Sequence, residues 1–214
     1  LIFLLTPGDS RRLHRDRCIS APWSRRWGSW LDARARGGEW FVRIDDLDAP
    51  RVAPGSIDSI LRTLEGFGLE WDGEVAYQSN HFDDYRAALL DLTGRGLTFD
   101  CACSRKDLGG AKIYPGTCRD ASGVLPRSVR FRSPGGTISW SDGGLGPMEV
   151  DTSAEVGDFL LRNAHGIYSY HLANVVDDMR MNITHVVRGA DLALFTPAHL
   201  QVQGALGGTW IHYH

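Results

Sequence analysis

No run of 18 or more apolar residues occurs among the 214 of this chain, which excludes a transmembrane helix. Leu1-Ile-Phe-Leu-Leu5 is apolar but lacks the basic flank and the length of a signal peptide. Cysteine is scarce, at four residues, which fits a reducing cytoplasm. A basic excess is missing as well. The net charge of −3 argues against bulk coating of nucleic acid, while leaving room for one local basic surface. There is no internal repeat and no long low-complexity tract. What is present is 43% hydrophobic residues in a chain long enough for one sizeable core with a small appended module.

Three of the four cysteines sit together. Cys101-Ala-Cys103 is followed by Tyr114-Pro-Gly-Thr-Cys118. Three cysteines and a tyrosine in so short a window can close around one tetrahedral metal ion. Zinc is the natural candidate, because soft thiolates favour it and four protein ligands make a closed structural site. Phenolate is an uncommon ligand, which makes the pattern more specific than a plain pair of Cys dipeptides. The alternative is three reduced, half-buried cysteines that bind nothing. A Cys101–Cys103 disulfide is disfavoured by the poor linkage geometry of alternate residues in a strand.

Along the chain, residues 29–38 read as the end of a helix stopped by paired glycines, and Glu39–Ile44 as a short buried strand. Ile57, Ile60, Leu61, Leu64 and Phe67 have helical spacing over 55–67, and Asp83–Arg95 is a second amphipathic helix. Leu97–Asp100 leads by a strand into the cysteines. Residues 104–128, rich in Gly, Pro and Ser, read as an inserted loop that needs a metal to hold it, since it offers little apolar area to bury. Val129–Arg132 alternates like a strand, and 133–154 is turn-rich. Asp158–Asn163 and Ile183–Arg188 read as strands, Tyr168–Asp178 and 196–206 as helices. Strands separated by helices predict an α/β fold with a parallel sheet, in which ligands bind beyond the carboxyl ends of the strands.

Those ends are Arg43-Ile-Asp45-Asp46, the loop near Tyr170, and Arg188-Gly-Ala-Asp191. They mix carboxylates, a tyrosine and arginines. An α-amino acid needs such a set: acid for its ammonium, and arginine to grip a carboxylate bidentately. Solvated loop charges and local ion pairs are the alternative.

Several blocks stand in one order. They are Arg43-Ile-Asp-Asp-Leu-Asp-Ala-Pro-Arg51, Trp71-Asp-Gly73 with Tyr77-Gln-Ser79, the Cys101/Cys103/Tyr114/Cys118 set, Tyr168–Asp178, and Val187-Arg-Gly-Ala-Asp-Leu192. From about residue 29 onward the chain resembles the glutamyl-Q tRNA(Asp) synthetases, short paralogues of the glutamyl-tRNA synthetase catalytic domain. The resemblance implies a Rossmann-like class I aminoacyl-tRNA synthetase catalytic domain with a small zinc-binding insertion at 101–128, flanked by its two halves at 1–100 and 129–214. It implies activation of glutamate by ATP, with magnesium, to glutamyl-adenylate and pyrophosphate. Glutamate then passes to queuosine in the anticodon of tRNA(Asp). By position, Asp45 stands where the family places the acid that holds the substrate ammonium. The family often has Glu there. Tyr170 and Arg188 complete the glutamate pocket, and Cys101, Cys103, Tyr114 and Cys118 hold a structural zinc. Catalysis in such a site is mostly positioning and charge stabilisation at phosphorus. The expected state is a cytoplasmic monomer that takes glutamate, ATP and tRNA, without membrane.

The chain departs from the family pattern in two places. Class I synthetases carry a His-x-Gly-His-type motif at the first strand–helix turn, where a helix N-terminus meets phosphate. Here Leu13-His14 is followed by Arg15-Asp16 instead of apolar-Gly, and glycine is what lets backbone approach the nucleotide. No catalytic role is carried onto His14. Cys18–Gly28 can be written in codons that, read one nucleotide earlier, give Leu-His-Leu-Gly-Ser-Leu-Val-Ala-Ala-Leu-Gly, the family motif plus an apolar helix. The expectation is that residues from about 8 to 28 are out of frame, with the frame restored before Ser29. An Arg/Trp RNA-binding arm is the other reading of that run. The second departure is the Lys-rich, Lys-Leu-Ser-Lys-type ATP loop, which lies beyond His214 in the family. Weak ATP binding and impaired activation are expected. The rival readings are a truncated glutamyl-tRNA synthetase and a zinc-stabilised tRNA-binding pseudoenzyme.

Overall fold

The computed structural model of the chain describes residues 2–5, 20–48 and 54–214. The chain divides into two compact units. The first comprises Leu1–Phe82, Ile183–Gly189 and Ile211–His214, and the second Asp83–Asn182 and Ala190–Trp210.

The first unit is built on parallel strands β1 (Ile2–Leu5), β2 (Phe41–Ile44) and β3 (Ala76–Tyr77), with β2 central. β1 pairs β2 from Ile2↔Phe41 to Leu5↔Ile44. Helix α1 (Ser20–Ala35) crosses between β1 and β2. It starts well before Ser29, so the second part of the Arg/Trp-rich run is helical, with Pro22 in the first turn, where its missing N–H is not needed. Arg15, Asp16, His14 and Cys18 lie outside the described residues, as does 49–53. Helix α2 (Ser56–Gly66) presents Ile60 and Leu64 inward. They join Ala33, Trp40, Val42, Ile44 and Leu69 in one core. Each of the Val, Leu and Ile side chains contributes about 2 kcal/mol by leaving water. The Trp71-Asp-Gly73 block has a structural job. Asp72 Oδ2 accepts from Arg34 of α1 at 2.6 Å and from the Trp40 backbone N–H at 2.7 Å, which clamps helix to strand. Those two hydrogen bonds hold its carboxyl below the usual aspartate range. β9 (His185–Val186) and β10 (His212–Tyr213) form a parallel pair in the same unit.

The second unit holds the antiparallel sheet β4 (Thr98–Cys101), β5 (Ser128–Phe131) and β8 (Leu160–Arg162), with β5 central. Helices α3 (Phe82–Gly94), α5 (Tyr170–Arg180) and α6 (Thr196–Ala205) supply Leu89, Leu92, Leu172, Val175, Ala198 and Val202 to a core shared with Val129, Phe131, Phe159 and Leu161. Tyr85 donates its hydroxyl to buried Asp177 at 2.8 Å, tying α3 to α5.

Two expectations are corrected. The parallel arrangement holds for the first unit only, because β4 and β5 are joined by a non-helical excursion that returns alongside its own origin, and that produces antiparallel pairing. Residues 133–154 are not mainly turn. They form the hairpin β6 (Thr137–Asp142) and β7 (Gly146–Asp151), followed by a single turn of helix, α4 (Thr152–Glu155). The glycines there make the tip, where buried Asp142 accepts from the N–H groups of Gly144 and Leu145 at 2.9 and 3.0 Å.

Candidate metal centre and substrate-site residues

β4 ends in Cys101, and the chain then runs from 102 to 127 without helix or strand before re-entering the sheet as β5. Cys101, Cys103 and Cys118 are brought together with their sulfurs all within 4.8 Å, and among the described residues they are the one cluster of metal-ligand type. Cys103 Sγ lies 3.6 Å from Cys118 Sγ. The Tyr114 hydroxyl lies 3.5 Å from Cys101 Sγ and 3.7 Å from Cys103 Sγ, and accepts the Cys118 backbone N–H at 2.7 Å. All four residues singled out by spacing therefore converge, and a metal ion is what such a donor set can hold. Phe99, Ala102 and Leu108 pack around them.

The electrostatics of the cluster are uneven. Burial pushes the Cys101 thiol up, but hydrogen bonds with Tyr114, Arg130 and the Cys103 backbone, together with the Arg130 charge, outweigh it and bring the thiol down to about 7. Burial raises Cys103, and burial together with the Cys101 hydrogen bond raises Tyr114. One glycine supports the loop from outside. Gly157 sits at φ +62°, and a Cβ there would overlap Ile113, the residue before Tyr114.

Tyr170 is the first residue of α5, whose Ser169 cap accepts from Leu172 N at 3.4 Å. Its ring packs edge-on against Phe195 at 5.8 Å and lies 5.1 Å from that of His199. His171 is held among Phe159, Phe195 and His199. Its Nδ1 is buried with no hydrogen-bond partner among the described residues, and burial lowers the imidazole to about 4. Tyr114 and Tyr170 line one cavity of about 360 Å³, with Lys112, Arg130, Phe159 and His171.

In the first unit, Asp45 follows the last residue of β2 and accepts from Arg43 Nε at 3.0 Å, with both side chains buried. Asp46 takes both the backbone N–H and the hydroxyl of Ser79, at 2.8 and 2.7 Å, which explains the Tyr77-Gln-Ser79 block as a splint between the ends of β2 and β3. Arg188 follows β9, and its guanidinium carbon stands 4.3 Å over the Tyr213 ring. His185 stacks on His212 at 4.9 Å, and burial, then the neighbouring imidazoles and Arg36, lower it. Sequence reasoning placed Arg43 and Asp45 together at the strand end but missed their pairing, although residues two apart in a strand share a face. It also missed His171 and Arg130, for which no local signal exists.

The family model for the catalytic domain of class I tRNA synthetases (E and Q) matches residues 27–114 and 119–214. The glutamyl-Q tRNA(Asp) synthetase of Thiobacillus denitrificans is 46% identical over 210 residues, which covers 94% of this chain and 68% of that protein. The chain belongs to the glutamyl-Q tRNA(Asp) synthetase family. The family member from Chromobacterium violaceum is 47% identical over 189 residues, covering 84% of this chain. The chain spans 63% and 64% of the lengths of the Chromobacterium violaceum and Dechloromonas aromatica relatives. A crystal structure of a glutamate tRNA ligase from Elizabethkingia meningosepticum in complex with its amino acid superposes with a TM-score of 0.84, over 99% of this chain and 48% of that one, at 23% identity. The fold is thus the α/β catalytic domain of class I synthetases, with mixed parallel and antiparallel sheets. Among the described residues no helix is long and apolar enough to cross a membrane.

Proposed function

We propose that the whole protein activates glutamate with ATP and magnesium to glutamyl-adenylate and pyrophosphate, then transfers glutamate to queuosine in the anticodon of tRNA(Asp). The observation that carries this is 46–47% identity to proteins named glutamyl-Q tRNA(Asp) synthetase, over 84–94% of this chain. Asp45 takes the substrate ammonium and Arg188 a carboxylate, and Tyr170 is a third glutamate-binding residue. The Arg43–Asp45 pair supports the first role, since it fixes the carboxylate at the strand end. Residues 101–128 form the metal-holding insertion between two stretches of catalytic domain.

Zinc fits the cluster. Thiolates about 2.3 Å from a tetrahedral ion stand about 3.8 Å apart, and an oxygen ligand at about 2.0 Å stands about 3.5 Å from each sulfur. The spacings of 3.6 Å between sulfurs and 3.5 and 3.7 Å from hydroxyl to sulfur are close to these. Four protein ligands leave no open position, so the ion's contribution is structural: it cross-links Cys101, Cys103, Tyr114 and Cys118. The reading includes a monomer in the cytoplasm, where free thiols at Cys101, Cys103 and Cys118 persist.

Residues 11–17 limit the activity of this chain, because Arg15-Asp16 replaces the glycine step that phosphate needs. The test is glutamate-dependent ATP–pyrophosphate exchange by the full-length gene product, with Leu-His-Leu-Gly-Ser in frame and as given, followed by glutamate transfer to tRNA(Asp) with and without queuosine. Exchange restored by the motif, and transfer only to the queuosine form, is expected. Transfer to tRNA(Glu) instead means a glutamyl-tRNA synthetase, and tRNA binding without exchange in either form means a binding module.

A further inference from the structure

Arg130 is a buried cation, 6% exposed, in the central strand of an antiparallel sheet. The alternation of Val129-Arg-Phe-Arg132 would ordinarily put arginine in water, yet all four residues of β5 are buried. Its Nε donates to Cys101 Sγ at 3.4 Å, and its guanidinium carbon stands 3.9 Å over the Tyr114 ring. One terminal nitrogen donates to the Asp158 carbonyl at 3.1 Å. Asp158's carboxylate is taken up by Arg119 and by Ser133 N–H, and among the described residues no carboxylate lies within ion-pair distance of Arg130.

A buried charge without a counter-charge is costly. Neutral thiols and a neutral phenol would supply none. A divalent ion bound by three thiolates carries net negative charge, and two of the four ligands in that centre are the groups Arg130 touches. We infer that Arg130 is the counter-cation of the metal centre, a positioning residue that raises its metal affinity by offsetting the negative charge of the thiolates and holding the Tyr114 ring in place through its flat face. The inference rests on the zinc reading above. The planar guanidinium suits both contacts at once, since it donates in its plane to sulfur and stacks over the ring. The pairing of β5 with β8 shifts register between Val129 and Arg130.

The experiment is competition for zinc against a chromophoric chelator, with the parent chain, Arg130→Gln, Arg130→Lys and Arg86→Gln. Groups that orient and tune metal ligands are worth about 10- to 100-fold in affinity. Arg130→Gln is expected to lose that much, Arg130→Lys to recover part of it by restoring charge without the flat face, and Arg86→Gln, an exposed side chain paired with Asp83 on α3, to match the parent. Parent-like affinity in Arg130→Gln, a lysine variant as weak as the glutamine one, or a glutamine variant that fails to fold at saturating zinc would each overturn the inference. A parent chain that takes up no zinc sinks the zinc reading itself.

Discussion

His171 gives the sharpest pH test. In the unfolded chain its imidazole titrates at about 6.5, and in the folded protein burial lowers it to about 4. Above pH 6.5 both states are neutral and the residue contributes nothing to the pH slope. Between 6.5 and about 4 the unfolded chain binds a proton that the native chain refuses, so stability falls as pH falls. Below about 4 the loss is complete. At about 1.4 kcal/mol per pH unit the gap is worth about 3 kcal/mol. His171→Leu removes the titrating group from an aromatic cage of Phe159, Phe195 and His199 while keeping an apolar side chain. Urea unfolding of both proteins at closely spaced pH values from 4 to 7 checks it. The carboxylates common to both cancel, and the difference between the curves should grow by about 3 kcal/mol toward pH 4. Parallel curves would refute the reasoning, and with it the claim that this imidazole is buried uncharged.

Other outcomes follow from particular contacts. Gly157→Ala should lose about 2 kcal/mol in urea unfolding and lower zinc affinity, since it meets both a positive φ and Ile113. Chelation of the metal should release backbone hydrogen exchange over residues 102–127 while leaving the α5 amides protected, as mass spectrometry would read. In the full-length protein with its motif in frame, Asp45→Asn should raise KM for glutamate in pyrophosphate exchange by 10-fold or more, on the order of one charge-assisted hydrogen bond. Asp45→Ala should in addition cost about 3 kcal/mol of stability, because it removes the carboxylate beside fully buried Arg43.

Much of the fold was legible because short-range pattern fixes it. The apolar spacing of Ile57, Ile60, Leu61 and Leu64 makes α2, and glycine stops α3. Strand direction was not, because period-2 patterning is the same for parallel and antiparallel partners. The β6–β7 hairpin is obscured in the sequence because Gly143, Gly144 and Gly146 signal turns between two short alternating runs. In the metal centre the ligand types and spacing were visible, since four residues within one loop need no long-range information. Arg130 was not, because its role depends on which way one strand residue faces. The Tyr85–Asp177 bond joins positions 92 apart in sequence and has no local trace.

Cys101 and Ser128 are partners on the β4–β5 ladder, and Arg127 N–H donates to the Cys101 carbonyl at 3.1 Å. Everything from 102 to 127 therefore departs from and returns to a single rung. A segment anchored this way can be lengthened, shortened or exchanged for another without shifting the register of the sheet that carries it. The rung is a graft point: a foreign loop with matched ends, or a different metal module, could be installed there while the remaining strands keep their pairing.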